Sequence, residues 1–397
     1  MATILPFKAV RPTRDKVGLF ATRTYLSYSK RGLTEKLINN PYTFLQIINP
    51  DFNQKKKFKG IQKFELIKKK YKSFLNQEII KKDKEKAFYI YYLNYEGNEY
   101  KGIIASASTE EYEKGIIKKH EKTLKKREAL FTKYLSKIKF NADPVLLSYK
   151  SNKKINNLIE KLSNGRAEYE FTTSNKALHK LWLISDSKDI LEIQNEFKKV
   201  NSLYIADGHH RTESSYQLSK INGIKHFMSL LIDENDLKIY GFNRILKFPE
   251  KIDRNIFFQK LSENFDVKKI SKPKFQTKNS NEIIIYFNKT FLSIVAKKDM
   301  IFSDSLSKLS YSILNKKIFN EIFKIDSNSR NIKYYSGKEK VENIIKIIDN
   351  DSNSIAFILN PIKLEIIKEI ADKNQTLPPK STYIDPKLRS GITILDL

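Results

Sequence analysis

Cysteine is absent from all 397 residues. Disulfides, zinc–thiolate centres, iron–sulfur clusters and cysteine nucleophiles are therefore excluded together. Glycine (12) and proline (11) are sparse and scattered, so no low-complexity linker or fixed-period repeat organises the chain. No apolar run approaches the ~20 residues that span a bilayer. Residues 1–8 lack a basic segment followed by an apolar one, so no secretory signal is expected. A cytoplasmic location and no membrane partner follow as expectations. Arginine is scarce too, supplying only 11 of the 74 basic residues.

What is abundant is lysine. Lys plus Arg number 74 against 45 Asp plus Glu, a formal charge of +29. Such an excess invites a nucleic-acid partner, because cations that neutralise phosphates release counterions. The distribution argues otherwise. Lysines run from Lys8 to Lys387 with no single basic segment, and Arg is the residue suited to bidentate phosphate and base contacts. Nucleic-acid binding is expected to be weak and non-specific at most. With 40% hydrophobic residues the chain can bury a real core. At about 150 residues per domain its length suits two or three domains.

Hydrophobic periodicity predicts a helix within 33–48 broken before Pro41, and a long amphipathic helix over 54–82. A strand pair, 87–95 and 102–108, flanks Glu96-Gly97-Asn98, and a charged helix covers 114–138. Buried strands are expected at 144–149, 168–173 and 181–184, then a helix at 190–199. Hairpins follow at 227–232 with 237–240, and at 283–287 with 291–296. Strand 355–359 and helix 362–372 come last. This irregular mixture predicts an α+β fold with mixed sheets. The expected division is a catalytic region, 1–248, and a C-terminal α+β region, 249–397. Weak breaks are expected near 246–250 and 298–303. The lone Trp182 and the aromatic stripe at 88–95 read as core packing.

The most informative segment is the apolar strand 203–206 running into Asp207-Gly208-His209-His210-Arg211, then a helix from Thr212. Glycine between strand and helix lets the backbone turn tightly and approach a ligand. The helix start offers unpaired N–H groups and the positive end of a dipole. Arg211 adds a bidentate phosphate donor, and His209 and His210 add donors of variable charge. Asp207 is placed to hold Mg²⁺ or to accept a hydroxyl proton. Two further clusters are candidates. Lys118-Lys119-His120-Glu121 lies in the charged helix, and Lys380-Ser381-Thr382 with Lys387 and Arg389 lies in a Pro-rich tail able to close over phosphates.

Several blocks in order along the chain carry a resemblance. They are Pro6-Phe7-Lys8-Ala9-Val10-Arg11-Pro12, Asn40-Pro41-Tyr42-Thr43-Phe44-Leu45, residues 116–121, Asn141-Ala142-Asp143-Pro144, residues 204–211 and residues 377–391. Together they resemble a large bacterial and archaeal family catalogued as a domain of unknown function and linked to the SerK-type free serine kinases. The resemblance implies a core similar to ParB and sulfiredoxin, in which the Ala-Asp-Gly-His-His-Arg turn cradles nucleotide phosphates. It implies phosphoryl transfer from ATP or ADP, with Mg²⁺, to the hydroxyl of free L-serine or a similar acceptor. On that basis Asp207, Glu121 and His210 are the expected catalytic residues, with Asp207 also the Mg²⁺ ligand. Gly208, His209, Arg211, Thr212, Lys118, Lys119, His120, Lys380, Ser381, Thr382, Lys387 and Arg389 are the expected nucleotide and substrate contacts. The early block departs from the family pattern: Thr24-Tyr25-Leu26-Ser27 stands where a Pro-Tyr-Asp-Val-like block is usual. Two alternatives stay open at this stage, a ParB-like nucleotide-responsive nucleic-acid binder and a non-catalytic family member. Sulfiredoxin chemistry itself needs a cysteine and is excluded.

A dispersed charge has a measurable consequence. Filter binding of the purified protein to DNA should be weak and should collapse between low and physiological salt. Tight binding that persists at physiological salt would contradict the dispersed-charge reading.

Overall fold

The strand pair expected around Glu96-Gly97-Asn98 sits at the centre of a nine-stranded mixed sheet. Phe88–Tyr95 and Asn98–Ser108 pair antiparallel, from Tyr89 opposite Ile104 to Tyr95 opposite Asn98. The computed structural model describes residues 1–397 except 250–252, 272–280, 298–299, 301–303, 305, 327–328 and 352, and only the backbone of Leu26. The described chain divides into two units, Met1–Leu237 with Pro386–Leu397, and Lys238–Asp385. It is a mixed α/β protein, as expected.

Across the first unit's sheet the strands run Ile117–Lys118, Leu203–Asp207, Val145–Tyr149, His226–Asp233, Asn98–Ser108, Phe88–Tyr95, Leu178–Ile184 and Tyr169–Thr172. Ile4–Leu5 lies beside Asn98–Ser108. Leu203–Asp207 pairs parallel with Ile117–Lys118, and His226–Asp233 parallel with Val145–Tyr149; the other pairs are antiparallel. Strands without alternation belong inside such a sheet, and all five residues of Val145–Tyr149 are buried. Val145, Leu147 and Tyr149 share a core with Ile155, Leu158, Ile193 and Phe197 from the helices Lys153–Leu162 and Ser187–Phe197. A second core joins Phe20, Phe44, Phe74, Leu135 and Leu218 to Ile394 from the carboxyl-terminal segment. Trp182 is half-buried against the first core, as expected, and its indole N–H donates to the Gly165 carbonyl at 2.8 Å.

The second unit is built on a six-stranded antiparallel sheet, ordered Phe265–Ile270, Thr290–Ala296, Ile283–Phe287, Ser354–Leu359, Phe242–Lys247 and Ile332–Ser336. Successive side chains of a strand face opposite ways. Ile283 and Ile285 accordingly join one core with Phe257, Leu261 and Phe319, while Ile284 and Tyr286 join another with Ile344 and Ile348. The hairpin expected at 283–296 forms, turning through Asn288 and Lys289 at φ of 44° and 56°. Consecutive positive φ values match the right-handed twist of the strands.

Four expectations change. The helix predicted over 54–82 ends at Asn76, because the chain reverses at Glu78 (φ 52°) and Ile80–Lys82 pairs with Val10–Pro12. The helix predicted over 114–138 is confined to Lys125–Ile138, since Ile117–Lys118 is recruited as a strand by Leu203 and Tyr204. Lys238–Tyr240 does not fold back on His226–Asp233 but pairs with Tyr383–Asp385. The division expected at 248/249 falls instead at 237/238 and 385/386, because Phe242–Lys247 is held between two strands of the second sheet. Both expected breaks, 246–250 and 298–303, lie partly outside the described residues. Among the described residues no helix is long and apolar enough to cross a membrane.

Residues after the second unit complete the first. Leu395–Asp396 pairs with Phe140–Asn141, Val10 bridges Ile394, and Thr22 bridges Ser390. Ile394 is fully buried in the second core. Ile394→Ala should therefore cost about 2–5 kcal/mol, the range for emptying a packed aliphatic site. Urea unfolding measures it, and a loss below about 0.5 kcal/mol would show that this segment does not belong to the core.

Candidate functional site

Leu203–Asp207 ends at Gly208, whose φ of 105° is open to glycine and strained for other residues. A Cβ there would also meet the Arg211 guanidinium at 3.0 Å. The helix begins at once, as His209–Asn222, three residues before its expected start. His209, His210 and Arg211 thus form the first helical turn and not a loop preceding it. The Thr212 amide donates to the Gly208 carbonyl at 2.9 Å. Those of residues 209–211 precede that bond and have no acceptor within the helix. Their N–H groups and the helix dipole make this end positive.

Asp207 stands between two cations. Its Oδ2 accepts from Arg211 Nη2 at 2.5 Å, and its Oδ1 pairs with the Lys387 ammonium. Burial alone would raise the Asp207 carboxyl, but Lys387 and Arg211 outweigh it and hold the group well below the usual carboxylate range. Arg211, Asp207 and Lys387 keep 27%, 34% and 36% of their side-chain surface, so the cluster is open to a ligand. One carboxylate against two cations leaves an excess positive charge at the positive end of a helix. This is an anion-binding arrangement.

Residues 141–144 hold the cluster from behind. Arg211 Nη1 donates to the Pro144 carbonyl at 2.6 Å, the Ser390 hydroxyl donates to Asp143, and the Gly391 amide donates to the Ala142 carbonyl at 3.0 Å. Gly391 has φ 86°, and a Cβ on it would meet Phe20 at 2.8 Å. The tail can run beneath Phe20 and Phe44 only as glycine at this point.

The two histidines of the turn have different surroundings. His120 meets His209, not His210: the rings stand edge to face with centroids 4.5 Å apart, and the His120 amide reaches His209 Nε2 at 3.4 Å. Burial pushes His120 down to about 4, against a hydrogen bond to the Ile205 backbone. Burial, then the neighbouring His120, pushes His209 well below its ordinary value. Both are neutral at pH 7 and supply packing and polarity, while the positive charge comes from Arg211 and Lys387. His210 faces Arg127 and Glu128, is lowered by burial, and keeps a buried Nδ1 without a partner.

The remaining expected residues separate. Lys118 lies 5.9 Å from the Tyr204 ring centre, and Lys119 lies 3.5 Å from Glu213. Glu121 is half-buried beside His120, and Thr212 is fully buried with its hydroxyl on the Gly208 carbonyl. Arg389 donates to His179 Nε2 (3.2 Å), Asn175 Oδ1 (2.9 Å) and the Ala21 carbonyl (3.3 Å). Lys380, Ser381 and Thr382 belong to the second unit, so the expected closing tail is divided after Asp385. A concave pocket lined by Arg14, Arg166, Glu168, Lys180 and Trp182 does not include Asp207. Sequence reasoning missed Glu213, which accepts from the Tyr112 hydroxyl (2.5 Å) and Gln217 (2.9 Å) beside Lys119. Its i+4 spacing from His209 on one helix face was the available signal.

Asp207 is not free for magnesium while both cations hold it. Mg²⁺ needs oxygen ligands in octahedral array, yet both Asp207 oxygens face cations. Among the described residues no group of three or more His, Asp or Glu could hold a metal. Asp207 would meet Mg²⁺ only by giving up Arg211 or Lys387; in this structure the neutralising charge at the turn comes from those two cations.

The chain belongs to the family described as "Protein of unknown function (DUF1015)", whose sequence profile matches residues 4–322. No curated protein matches it by sequence. Among solved structures it is similar to a free serine kinase in complex with AMP, at 16% identity and a TM-score of 0.40, over 74% of this chain and 91% of that one. A free serine kinase mutant in complex with ADP is similar at 14% identity and a TM-score of 0.39, over 74% and 91%. SbnI with C-terminal truncation from Staphylococcus aureus is similar at 11% identity and a TM-score of 0.40, over 74% and 87%.

Buried neutral histidines make stability depend on acid. His120 titrates about 4 when folded and near 6.5 when unfolded, so between those values the unfolded chain binds more protons. Stability is then full above about pH 6.5 and falls as pH drops, by about 1.4 kcal/mol per unit for such a group. Proton NMR of the imidazole C2–H should place the His120 midpoint near 4. A midpoint at 6.5 would mean that the site is open to water.

Proposed function

We propose that this protein transfers the terminal phosphoryl group of ATP or ADP to the hydroxyl of a small acceptor. Free L-serine is the acceptor favoured by the sequence resemblance. The observation that carries this proposal is the Asp207–Arg211–Lys387 cluster at the positive end of helix His209–Asn222. Phosphoryl transfer demands charge neutralisation and positioning more than covalent chemistry, and the cluster is suited to both. Arg211 and the first helical amides hold the phosphate; Gly208 keeps that approach free of a side chain. Lys387 neutralises charge on the leaving oxygen.

In the transfer, the acceptor oxygen bonds to the terminal phosphorus as the bond to the bridging oxygen breaks. The hydroxyl proton passes to Asp207 or to water. A carboxylate held so far toward its ionised form is a weak base, which suits a loose transition state in which that proton leaves late. Asp207 orients the hydroxyl by accepting its hydrogen bond, since two of its roughly four lone-pair sites are taken by Arg211 and Lys387. Glu121, next to His120, is the alternative base.

Incubation with Mg²⁺, ATP or ADP and an amino-acid panel, read by mass spectrometry, tests the activity. The expected product is phosphoserine. Asp207→Asn should lower turnover about a hundredfold or more while the fold survives, because the amide keeps the shape and loses the charge. Arg211→Ala should in addition weaken nucleotide binding, since it removes a donor present in the ground state. A folded Asp207→Asn protein with near wild-type turnover would remove Asp207 from the chemistry. Retention on DNA with no transfer to any acceptor would favour the nucleic-acid binder instead.

A further inference from the structure

The second unit contains a buried cation that the proposed reaction does not use. Arg244 lies in the strand Phe242–Lys247 and is 1% exposed. Its partners are all neutral: Nη1 donates to the Phe242 carbonyl at 2.7 Å, Nη2 reaches the Lys380 carbonyl at 3.4 Å, and the Tyr334 ring centre is 5.4 Å away. Among the described residues no carboxylate pairs with it. Its Nε–H has no acceptor, and the buried Tyr311 hydroxyl, beside Ser312 and within electrostatic reach of Arg244, has no acceptor for its proton either. Burial pushes the guanidinium down to about 10.

The segment that meets Arg244 is strained. Lys380 has φ 65°, unfavourable for a residue with a side chain, and its carbonyl accepts the longer of the two Arg244 hydrogen bonds. Its ammonium stands 5.1 Å from the Phe242 ring centre. Ser381 is buried, with its hydroxyl donating to the Pro378 carbonyl at 2.8 Å. A buried charge without a counter-ion is costly, as is each buried donor without an acceptor. A water molecule would satisfy the two donors but leave the charge. Only an anion does both.

We propose that Arg244, Tyr311 and Lys380 form a second binding site, within Lys238–Asp385, for a compact oxyanion: a phosphoryl or carboxylate group. The oxyanion accepts from Arg244 Nε–H and the Tyr311 hydroxyl and replaces the long Lys380 carbonyl contact. The planar guanidinium fork matches either group in two-point fashion.

Calorimetric titration of the full-length Arg211→Ala protein, which weakens phosphate binding at the first cluster, tests the site with inorganic phosphate and with acetate as separate probes. One saturable site is expected for at least one probe, and the tighter probe identifies the group. Adding Tyr311→Phe, which removes one hydroxyl and preserves shape, should weaken that binding about tenfold or more. Adding Arg244→Gln should abolish it. If the Arg244→Gln protein fails to fold, Tyr311→Phe decides alone. The proposal is overturned if neither probe binds saturably, or if binding is unchanged in the folded variants.

Discussion

The Asp207 carboxylate, held between Arg211 and Lys387, is the interaction on which the first unit's functional end depends. Arg211 comes from the helix that Gly208 starts, and Lys387 from a segment nearly two hundred residues later. The carboxylate turns both cations toward one point, and without them Asp207 would be a partly buried charge with no compensation. The same tail then ties residues 141–144 through Ser390 and Gly391, and it passes beneath Phe20. Four blocks far apart in sequence are thereby brought to one place. The driving term is ordinary burial of Ile394 and its neighbours, which fixes the tail tightly enough to place Lys387.

Burial also decides which groups carry charge. His120 and His209 are enclosed edge to face and lose their protons, since the hydration a charged imidazole there would give up outweighs the attraction of the Asp207 carboxylate. Glu213 keeps its charge in a comparable setting because Tyr112, Gln217 and Lys119 surround it. Positive charge is left to the part-exposed Arg211 and Lys387, where a phosphate can reach it. Enclosed neutral histidines and part-exposed permanent cations would make the proposed phosphate site insensitive to pH near neutrality.

Much of this was legible in the sequence. The Asp-Gly-His-His-Arg turn, its strand and its helix follow from local chemistry, since an apolar run, a glycine and a helical pattern occur within twenty residues. Predominantly apolar strands such as Val145–Tyr149 declared their burial directly. Recruitment of Ile117–Lys118 as a strand was hidden, because the surrounding charge pattern is helical and only the neighbouring Leu203 and Tyr204 make it a strand. Lys238–Tyr240 read correctly as a strand, but its pairing with Tyr383–Asp385 was hidden because that partner lies far along the chain. Within the site, proximity to His209 rather than His210 depends on which way the first helical turn faces. A start three residues later rotates every side chain by most of a turn. The Lys387 contact to Asp207 is a product of tertiary folding with no local signature.

Where the phosphate sits is the central claim, and a crystal structure of the full chain with bound nucleotide tests it most directly. The account predicts phosphate oxygens within about 3.2 Å of the Arg211 guanidinium and of an amide among residues 209–211, with Lys387 turned from Asp207 toward the same phosphate. A nucleotide bound with its phosphates away from this turn, and the Asp207–Arg211–Lys387 contacts unchanged, would contradict it.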